Sequence, residues 1–163
     1  MTNWQDNEKK ARRAIENRGF TVFDANVLFR ANCPNIDLVV FGKSKAIYVQ
    51  VKSTTTPTSQ DSVALDGSPW TAAQLYDDAP IYNRHRERAD FKASLIVIVD
   101  HDRSGEESFY IAPPKDIEEL VRRPRIGLAS RAKRDKTRRS IGFRMELPKA
   151  DFKPWLEAWY LFD

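Results

Sequence analysis

The stretch PNIDLVVFGKSKAIYVQVKS, residues 34–53, contains the two clearest strand candidates of the chain. Ile36–Phe41 and Ala46–Ser53 are rich in β-branched and aromatic residues, and the four residues between them include a glycine. Such a short link between two β-rich runs is typical of a β-hairpin. The stretch therefore predicts two adjacent antiparallel strands.

The register of this hairpin decides which side chains meet. If Gly42 and Lys45 flank a two-residue turn, Asp37 lies directly opposite Gln50, and opposed residues point to the same face of a sheet. Lys52 lies two residues beyond Gln50 and shares that face. Three apolar residues point to the other face: Leu38, Val49 and Val51.

A carboxylate, an amide and an ammonium group on one strand face indicate a reaction site. Polar groups among apolar neighbours are costly unless they find partners, and a divalent cation would bind the carboxylate and the amide oxygen together. A nearby lysine orients a water molecule and offsets charge that develops on a phosphate. This interpretation depends on the register, because a slip of one residue would separate the three groups.

These residues resemble a known signature. Pro34-Asn35-Ile36-Asp37-Leu38 followed by Gln50-Val51-Lys52 looks like the PD-(D/E)xK motif of restriction endonuclease-like nucleases, in its Q-x-K variant. That variant resembles the sites of Mrr-like restriction enzymes and some intron-encoded homing endonucleases. Glu8 precedes Gly19-Phe20 at a spacing similar to the first-helix glutamate of Holliday-junction resolvases. Two departures are Pro34, three residues before Asp37 rather than adjacent to it, and Gln50 in place of an acid.

The resemblance implies a role for each residue. Glu8, Asp37, Gln50 and Lys52 would form the catalytic set, with Mg²⁺ or Mn²⁺ as the cofactor. Asp37 would be the principal metal ligand, joined by Gln50 and the Val51 carbonyl, while Lys52 would lie beside the attacking water. Glu8 would bind a second ion or support the ligands of the first. Glu16 is the alternative candidate for this role.

The rest of the chain predicts an α/β fold around this hairpin. The expected class is a restriction endonuclease-like core, a central mixed β-sheet flanked by helices in the order αβββαβ, with a C-terminal helical extension. We expect one domain over residues 1–163, with its core at about 6–112 and its extension at about 113–163. The predicted elements besides the hairpin are a helix at 6–18 ended by Gly19, a strand at 21–30, a functional loop or flap at 54–80, a helix at 81–91, strands at 94–100 and 108–112, a short helix from 113 to about 123, a strand at 140–147 and an amphipathic helix from about 149.

Two further patterns have open interpretations. The C-terminal helix would carry an aromatic stripe, which is ordinarily core and alternatively a dimer surface. Trp70 is equally a nucleic-acid contact or an anchor of its loop. By contrast, Asp100-His101-Asp102 is interpreted as a polar strand end, because no Cys or His has the spacing of a zinc site. The stripe consists of Phe152, Trp155, Leu156, Trp159 and Tyr160.

Positive charge is concentrated near the C-terminal end. Residues 120–144 contain ten Lys or Arg and one acid, whereas the whole chain has a net charge of only +4. A basic segment on an otherwise mildly acidic body predicts a polyanionic partner, and a solvated basic loop is the alternative. The residues expected to bind nucleic acid are Arg122, Arg123, Arg125, Arg131, Lys133, Arg134, Lys136, Arg138 and Arg139.

Composition excludes several classes of protein. No apolar run approaches the length of a membrane span. The sequence contains no glycine-rich phosphate-binding loop, so no nucleotide cofactor is expected. The single cysteine, Cys33, and the absence of a secretory signal pattern at the first residues favour a cytoplasmic location.

The sequence as a whole predicts a metal-dependent endonuclease that acts on DNA, with RNA as the alternative substrate. Cleavage of both strands of a duplex generally needs two active sites, so a homodimer is expected. Two rival functions stay open: a catalytically weak or inactive nucleic-acid-binding module of the same fold, and an immunity- or antitoxin-type protein that uses its Trp-rich C-terminal region.

Overall fold

The structure, a computed structural model, describes residues 4–33, 36–55, 61–70, 93–101, 105–117, 119–120 and 141–163. Its helices and strands in chain order are α1 (Trp4–Glu16), β1 (Thr21–Asp24), α2 (Ala25–Phe29), β2 (Leu38–Phe41), β3 (Ala46–Thr55), β4 (Ser62–Trp70), β5 (Leu95–His101), β6 (Glu107–Ala112), β7 (Ile141–Pro148) and α3 (Lys149–Phe152), followed by the 3₁₀ helices Lys153–Trp155 and Trp159–Phe162.

The strands form a mixed sheet that branches at β3. Five strands lie in the order β1-β2-β3-β5-β6, in which β3 and β5 are parallel and the other pairs are antiparallel. The end of β3 pairs with β4, which in turn pairs with β7. The α/β class with a mixed sheet flanked by helices is therefore confirmed.

The hairpin has the register that the sequence predicts. Leu38 pairs with Val49 and Phe41 with Ala46, and the Gly42 N–H donates to the Lys45 carbonyl at 3.0 Å. A Cβ atom on residue 42 would lie 3.1 Å from the carbonyl oxygen of Phe162, so a side chain at this position would crowd the C-terminal residues of the chain. The ladder begins at Leu38, so the predicted pairing of Asp37 with Gln50 is not formed, and the Asp37 N–H donates to the Val49 carbonyl instead.

Helix α1 packs on one face of the sheet. Its buried side chains include Ala11 and Ile15, which lie in the same core cluster as Leu38, Val49 and Val97. The spacing i, i+4 places such residues on one side of a helix. Gly19, at φ +86°, follows the helix in a conformation that disfavours other residues, which confirms the predicted stop.

The strand predicted for residues 21–30 is only partly correct. It ends at Asp24, whose carboxylate accepts a hydrogen bond from the Val27 N–H at 3.1 Å and caps α2. Ser, Thr, Asp and Asn favour this cap position because they satisfy an otherwise unpaired N–H. The apolar residues after Asp24 therefore form a short helix instead of continuing the strand.

The functional loop or flap predicted for residues 54–80 is wrong over most of its described part. Thr54 and Thr55 continue β3, and residues 62–70 form β4, whose partner β7 lies about eighty residues later in the chain. Trp70 is the last residue of β4. The helix predicted for 81–91 lies outside the described residues.

The C-terminal amphipathic helix is also wrong. Four residues of α3 are followed by two separate 3₁₀ helices, because Pro154 cannot continue an α-helix and Glu157 has φ +50°. The burial pattern changes accordingly. Leu156 and Tyr160 of the expected stripe are 46% and 67% exposed, whereas the fully buried aromatics here are Phe152 and Phe162.

The remaining predicted elements are approximately correct where they are described. The strands at 94–100, 108–112 and 140–147 are found within one residue of their expected bounds, and residues 114–117 and 119–120 are helical. The nine basic residues between 122 and 139 lie outside the described part of the chain. No helix in the described ranges is long and apolar enough to cross a membrane.

Candidate active site

The site lies at a gap along strand β3. Its antiparallel partner β2 begins at Leu38, opposite Val49, so it does not extend past that point, and pairing with β4 begins only at Thr54. Between these points, residues 50–53 pair with β5 on their parallel side and with no antiparallel strand among the described residues. Backbone groups on the open side of β3 are thus available to side chains.

Asp37 occupies the beginning of this gap. Its carboxylate Oδ2 accepts a hydrogen bond of 2.6 Å from the Val51 N–H. Its own N–H donates to the Val49 carbonyl at 2.8 Å, and its carbonyl accepts from the Ala25 N–H at 3.0 Å. The main chain of Asp37 is therefore held from both sides, and the hydrogen bond to Val51 fixes the direction of its side chain.

The same hydrogen bond indicates where the Val51 carbonyl points. The N–H and C=O of one strand residue project toward the same side of the strand. Because the Val51 N–H meets Asp37, the Val51 carbonyl also faces the gap. One carboxylate and one backbone carbonyl thus share the opening.

The electrostatic environment of Asp37 combines opposing effects. Burial raises the pKa of its carboxyl above the usual value, and the charge of Asp24 raises it further. The Val51 N–H and the Lys52 ammonium lower this pKa, since both stabilise the charged form. Lys52 is therefore close enough to Asp37 to interact with it electrostatically.

Gln50 and Lys52 lie on one face of β3, as two-residue spacing requires. It is the face opposite α1, because Val49 and Val51 of the alternate positions pack in the core cluster beneath that helix. Gln50 is buried, with 9% of its surface exposed, and Lys52 is half-buried. Of these two residues, Lys52 is the one whose charge acts on the Asp37 carboxylate.

Glu8 approaches the gap from the α1 side. Burial and the negative charges of Asp37 and Asp24 raise its pKa from the usual 4.5 to about 7. A cavity of about 370 Å³ lies beside it. Glu16, the alternative candidate for the acid of the first helix, instead forms an exposed ion pair of 2.8 Å with Arg12. The cavity is lined by Gln5, Glu8, Lys9, Arg12, Asp24 and Leu38.

Asp24 is the member of this group that the sequence did not identify. It lines the same cavity as Glu8, and its charge raises the pKa of both Glu8 and Asp37. Recognising it as a helix cap rather than a strand residue would have placed it at the end of β1, beside the start of β2. The sequence feature that indicates this helix cap is an aspartate directly before a short apolar run.

Replacing Glu8 with glutamine is expected to stabilise the metal-free protein at pH 8. A carboxyl group whose pKa is higher in the folded than in the unfolded state favours folding below pH 4.5, and this contribution is lost as the pH rises through about 7. Glutamine does not ionise, so the folded protein avoids the cost of a buried negative charge at this position at pH 8. Thermal unfolding of both proteins in EDTA should show a higher melting temperature for Glu8→Gln at pH 8 and none of this difference at pH 4.5.

The exposed Asp6 on the same helix provides the control, since Asp6→Asn makes the same change in charge away from Asp37. Its melting temperature should not rise selectively at pH 8. Equal pH dependence of Glu8→Gln and the unmodified protein would show that Glu8 does not experience the negative field at this gap.

No three Cys, His, Asp or Glu side chains in the described ranges, Glu8, Asp24 and Asp37 included, form a group that could hold an ion by themselves. Asp100, which the sequence places at a polar strand end, is buried and forms an ion pair of 3.1 Å with Lys149. His101 is hydrogen-bonded to Asn7, and Asp102 lies outside the described residues.

Comparison with known proteins supports the fold. No family model matches the sequence, and no curated protein matches it. Among solved structures, a bacterial homing endonuclease, I-Ssp6803I, is similar, with a TM-score of 0.52 and 17% sequence identity. The match covers 99% of this chain and 91% of that one. At this identity, the similarity shows that the two chains share an overall fold.

Proposed function

We propose that this protein is a Mg²⁺- or Mn²⁺-dependent endonuclease that hydrolyses phosphodiester bonds of DNA. The observation that carries the proposal is the Asp37 carboxylate, held by the Val51 N–H in a gap of the sheet with Lys52 close by. The motif that contains these residues resembles the Q-x-K variant of the PD-(D/E)xK signature. The endonuclease-like fold is consistent with that resemblance.

The chemistry of the donor groups fits a hard divalent cation. Burial and neighbouring carboxylates raise the pKa of both Glu8 and Asp37, so negative charge at the gap lacks full compensation. Mg²⁺ is commonly held by one or two carboxylates, with water and substrate phosphates completing its shell. The proposed ligands are Asp37, Gln50 and the Val51 carbonyl, with Glu8 binding a second ion or supporting these ligands.

The bound ion would act as a Lewis acid on the phosphate and activate water for attack. The hydrogen bond from Val51 keeps the Asp37 carboxylate directed into the gap, and the ladder with β5 fixes the backbone of Lys52. An ammonium group at that position would orient the water and counter the charge that develops on the phosphate. Pre-arranged groups of this kind need little reorganisation during the reaction.

Duplex DNA is the proposed substrate. The similar structure is that of a homing endonuclease, and the basic residues between 122 and 139 supply charge for contacts with a phosphate backbone. Such contacts confer affinity that decreases steeply with salt. A homodimer would provide one active site for each strand.

Gln50 favours a second candidate function, a binding module with a weakened site. An amide oxygen ligates Mg²⁺ without contributing negative charge, so it compensates the ion less than an acid would. Binding without cleavage would then be the activity.

Incubation of the purified protein with supercoiled plasmid separates these candidates. An endonuclease should produce nicked or linear DNA in Mg²⁺ or Mn²⁺ and none in EDTA. A salt-sensitive mobility shift without cleavage would identify the binding module instead. No salt-dependent affinity for DNA or RNA would contradict both and favour the protein-interaction role.

A further inference from the structure

The N-terminal half of α1 is attached to the sheet differently from its C-terminal half. Ala11, Ala14 and Ile15 bury the C-terminal half in the core. Among residues 5–10, Asn7 is the only buried residue, with 1% of its surface exposed. The spacing 7, 11, 14, 15 places Asn7 at the N-terminal end of the buried stripe, where an apolar residue is the usual occupant.

A histidine at the end of β5 provides the partner of this asparagine. The Oδ1 of Asn7 lies 2.8 Å from the Nε2 of His101, so the histidine ring donates to the amide oxygen in its Nε2–H tautomer. The Nδ2 of Asn7 has no hydrogen-bond partner within the part of the chain that the structure describes. The contact with His101 is therefore the polar interaction that fixes this buried amide.

His101 is itself held in place. It pairs with Glu107 in the β5–β6 ladder, and its N–H donates to the Thr54 hydroxyl at 3.3 Å. A second link joins α1 to the β5–β6 pair. It is the ion pair of 2.6 Å between Lys10 and Glu107, in which both side chains are about one-third exposed to solvent. Exposed ion pairs position groups weakly, so the buried hydrogen bond is the stronger constraint.

We infer that His101 is a positioning residue for Glu8, acting through Asn7. Asn7 directly precedes Glu8, and among residues 5–16 of α1 the buried apolar side chains all lie C-terminal to both. Fixing Asn7 against β5 fixes the rotation and height of the helix turn that presents Glu8 to the gap at Asp37. The inference rests on the proposed function, because it assigns His101 to the same metal-dependent site.

Asn7→Leu is the most informative variant. Leucine has the same branched shape and number of side-chain heavy atoms, continues the apolar stripe and removes an amide that is only partly hydrogen-bonded, so the melting temperature should stay the same or rise. Loss of the link to His101 should nevertheless weaken Mn²⁺ binding and lower kcat by about 10- to 100-fold, as for other groups that orient metal ligands. The KM for DNA should change little, because neither residue is proposed to bind the substrate.

Two substitutions of His101 test the chemical basis of this effect. His101→Ala removes the donor and should reproduce the loss seen with Asn7→Leu. His101→Gln places an amide N–H near the original Nε2 and should restore most of the activity. Lys10→Met removes the ion pair with Glu107 on β6 and serves as the matched control. Its activity should be close to that of the unmodified protein.

Calorimetric titration with Mn²⁺ alone and steady-state plasmid cleavage supply the readouts. If Asn7→Leu and His101→Ala bind Mn²⁺ and cut as the unmodified protein does, the contact serves only the fold and the inference is wrong. Failure of His101→Gln to restore activity would also contradict it. An unmodified protein that neither binds Mn²⁺ nor cuts would instead overturn the proposed function.

Discussion

Replacing Asp37 with asparagine is expected to abolish DNA cleavage while the protein remains folded. The asparagine amide oxygen can still accept the hydrogen bond from the Val51 N–H, so the local backbone retains its support. The substitution removes the negative charge that the divalent ion needs. We expect cleavage to fall by about 10³-fold or more, equivalent to about 4 kcal/mol of transition-state stabilisation.

The stability of Asp37→Asn makes this prediction specific. Burial raises the pKa of Asp37, so its ionised form disfavours folding at neutral pH, and a neutral residue removes that cost. The melting temperature in EDTA should therefore equal or exceed that of the unmodified protein. Thermal unfolding, Mn²⁺ titration and plasmid cleavage measured on the same preparation test all three consequences.

Asp6→Asn is the control for the loss of one negative charge, since Asp6 is exposed on α1. It should bind Mn²⁺ and cut DNA normally. Cleavage by Asp37→Asn at the unmodified rate would show that the gap in the sheet is not the site of reaction. Loss of folding would show that the carboxylate has a structural role that asparagine cannot fill.

The hairpin illustrates what local sequence can establish. Two runs of β-branched and aromatic residues specify the strands, and the structure confirms the pairing from Leu38–Val49 to Phe41–Ala46. The register follows from the short glycine-containing link, because the length of a hairpin loop determines which residues face each other. The strand predicted at 94–100 is also confirmed, and the structure shows that it is the parallel neighbour of β3.

The opening at Asp37 could not be predicted in the same way. An alternating pattern identifies residues that share a face, but it does not show where a partner strand ends. The ladder stops at Leu38, so the Asp37 carboxylate bonds to the edge of β3 instead of standing opposite Gln50 on the sheet face. The contribution of Asp24 was missed because its role as a helix cap depends on where β1 stops.

Non-local pairing explains the other errors. Ser62–Trp70 lacks a strong strand pattern, yet it pairs with β7, which lies far away in the sequence. At the C-terminus, helical periodicity suggested a continuous helix across Pro154. The chain instead turns twice and buries Phe162 against the sheet, close to Gly42. In both regions, tertiary packing determined the local structure.

Replacing Lys52 with methionine should separate metal binding from catalysis. Methionine is unbranched like lysine and nearly as long, but it has no charge, and the ladder with β5 maintains the backbone position. Removing a positive charge near Asp37 decreases the repulsion felt by a divalent ion, so Mn²⁺ should bind at pH 8 at least as tightly as before. Cleavage should still fall by about 10²- to 10³-fold, as when one preorganised donor is lost from a reaction site.

The pH dependence of Lys52→Met gives an independent test of the same contact. The Lys52 ammonium lowers the pKa of Asp37, so its removal should raise that pKa. Protons should then compete with Mn²⁺ at higher pH than in the unmodified protein, and binding should weaken earlier as the pH is lowered. Lys52→Arg preserves the charge and should retain the original pH profile of binding, while its planar group does not reproduce a compact ammonium in catalysis. Normal cleavage by Lys52→Met, or an unchanged pH profile of Mn²⁺ binding, would remove Lys52 from the reaction and leave Asp37 without the positive neighbour on which the proposed hydrolysis depends.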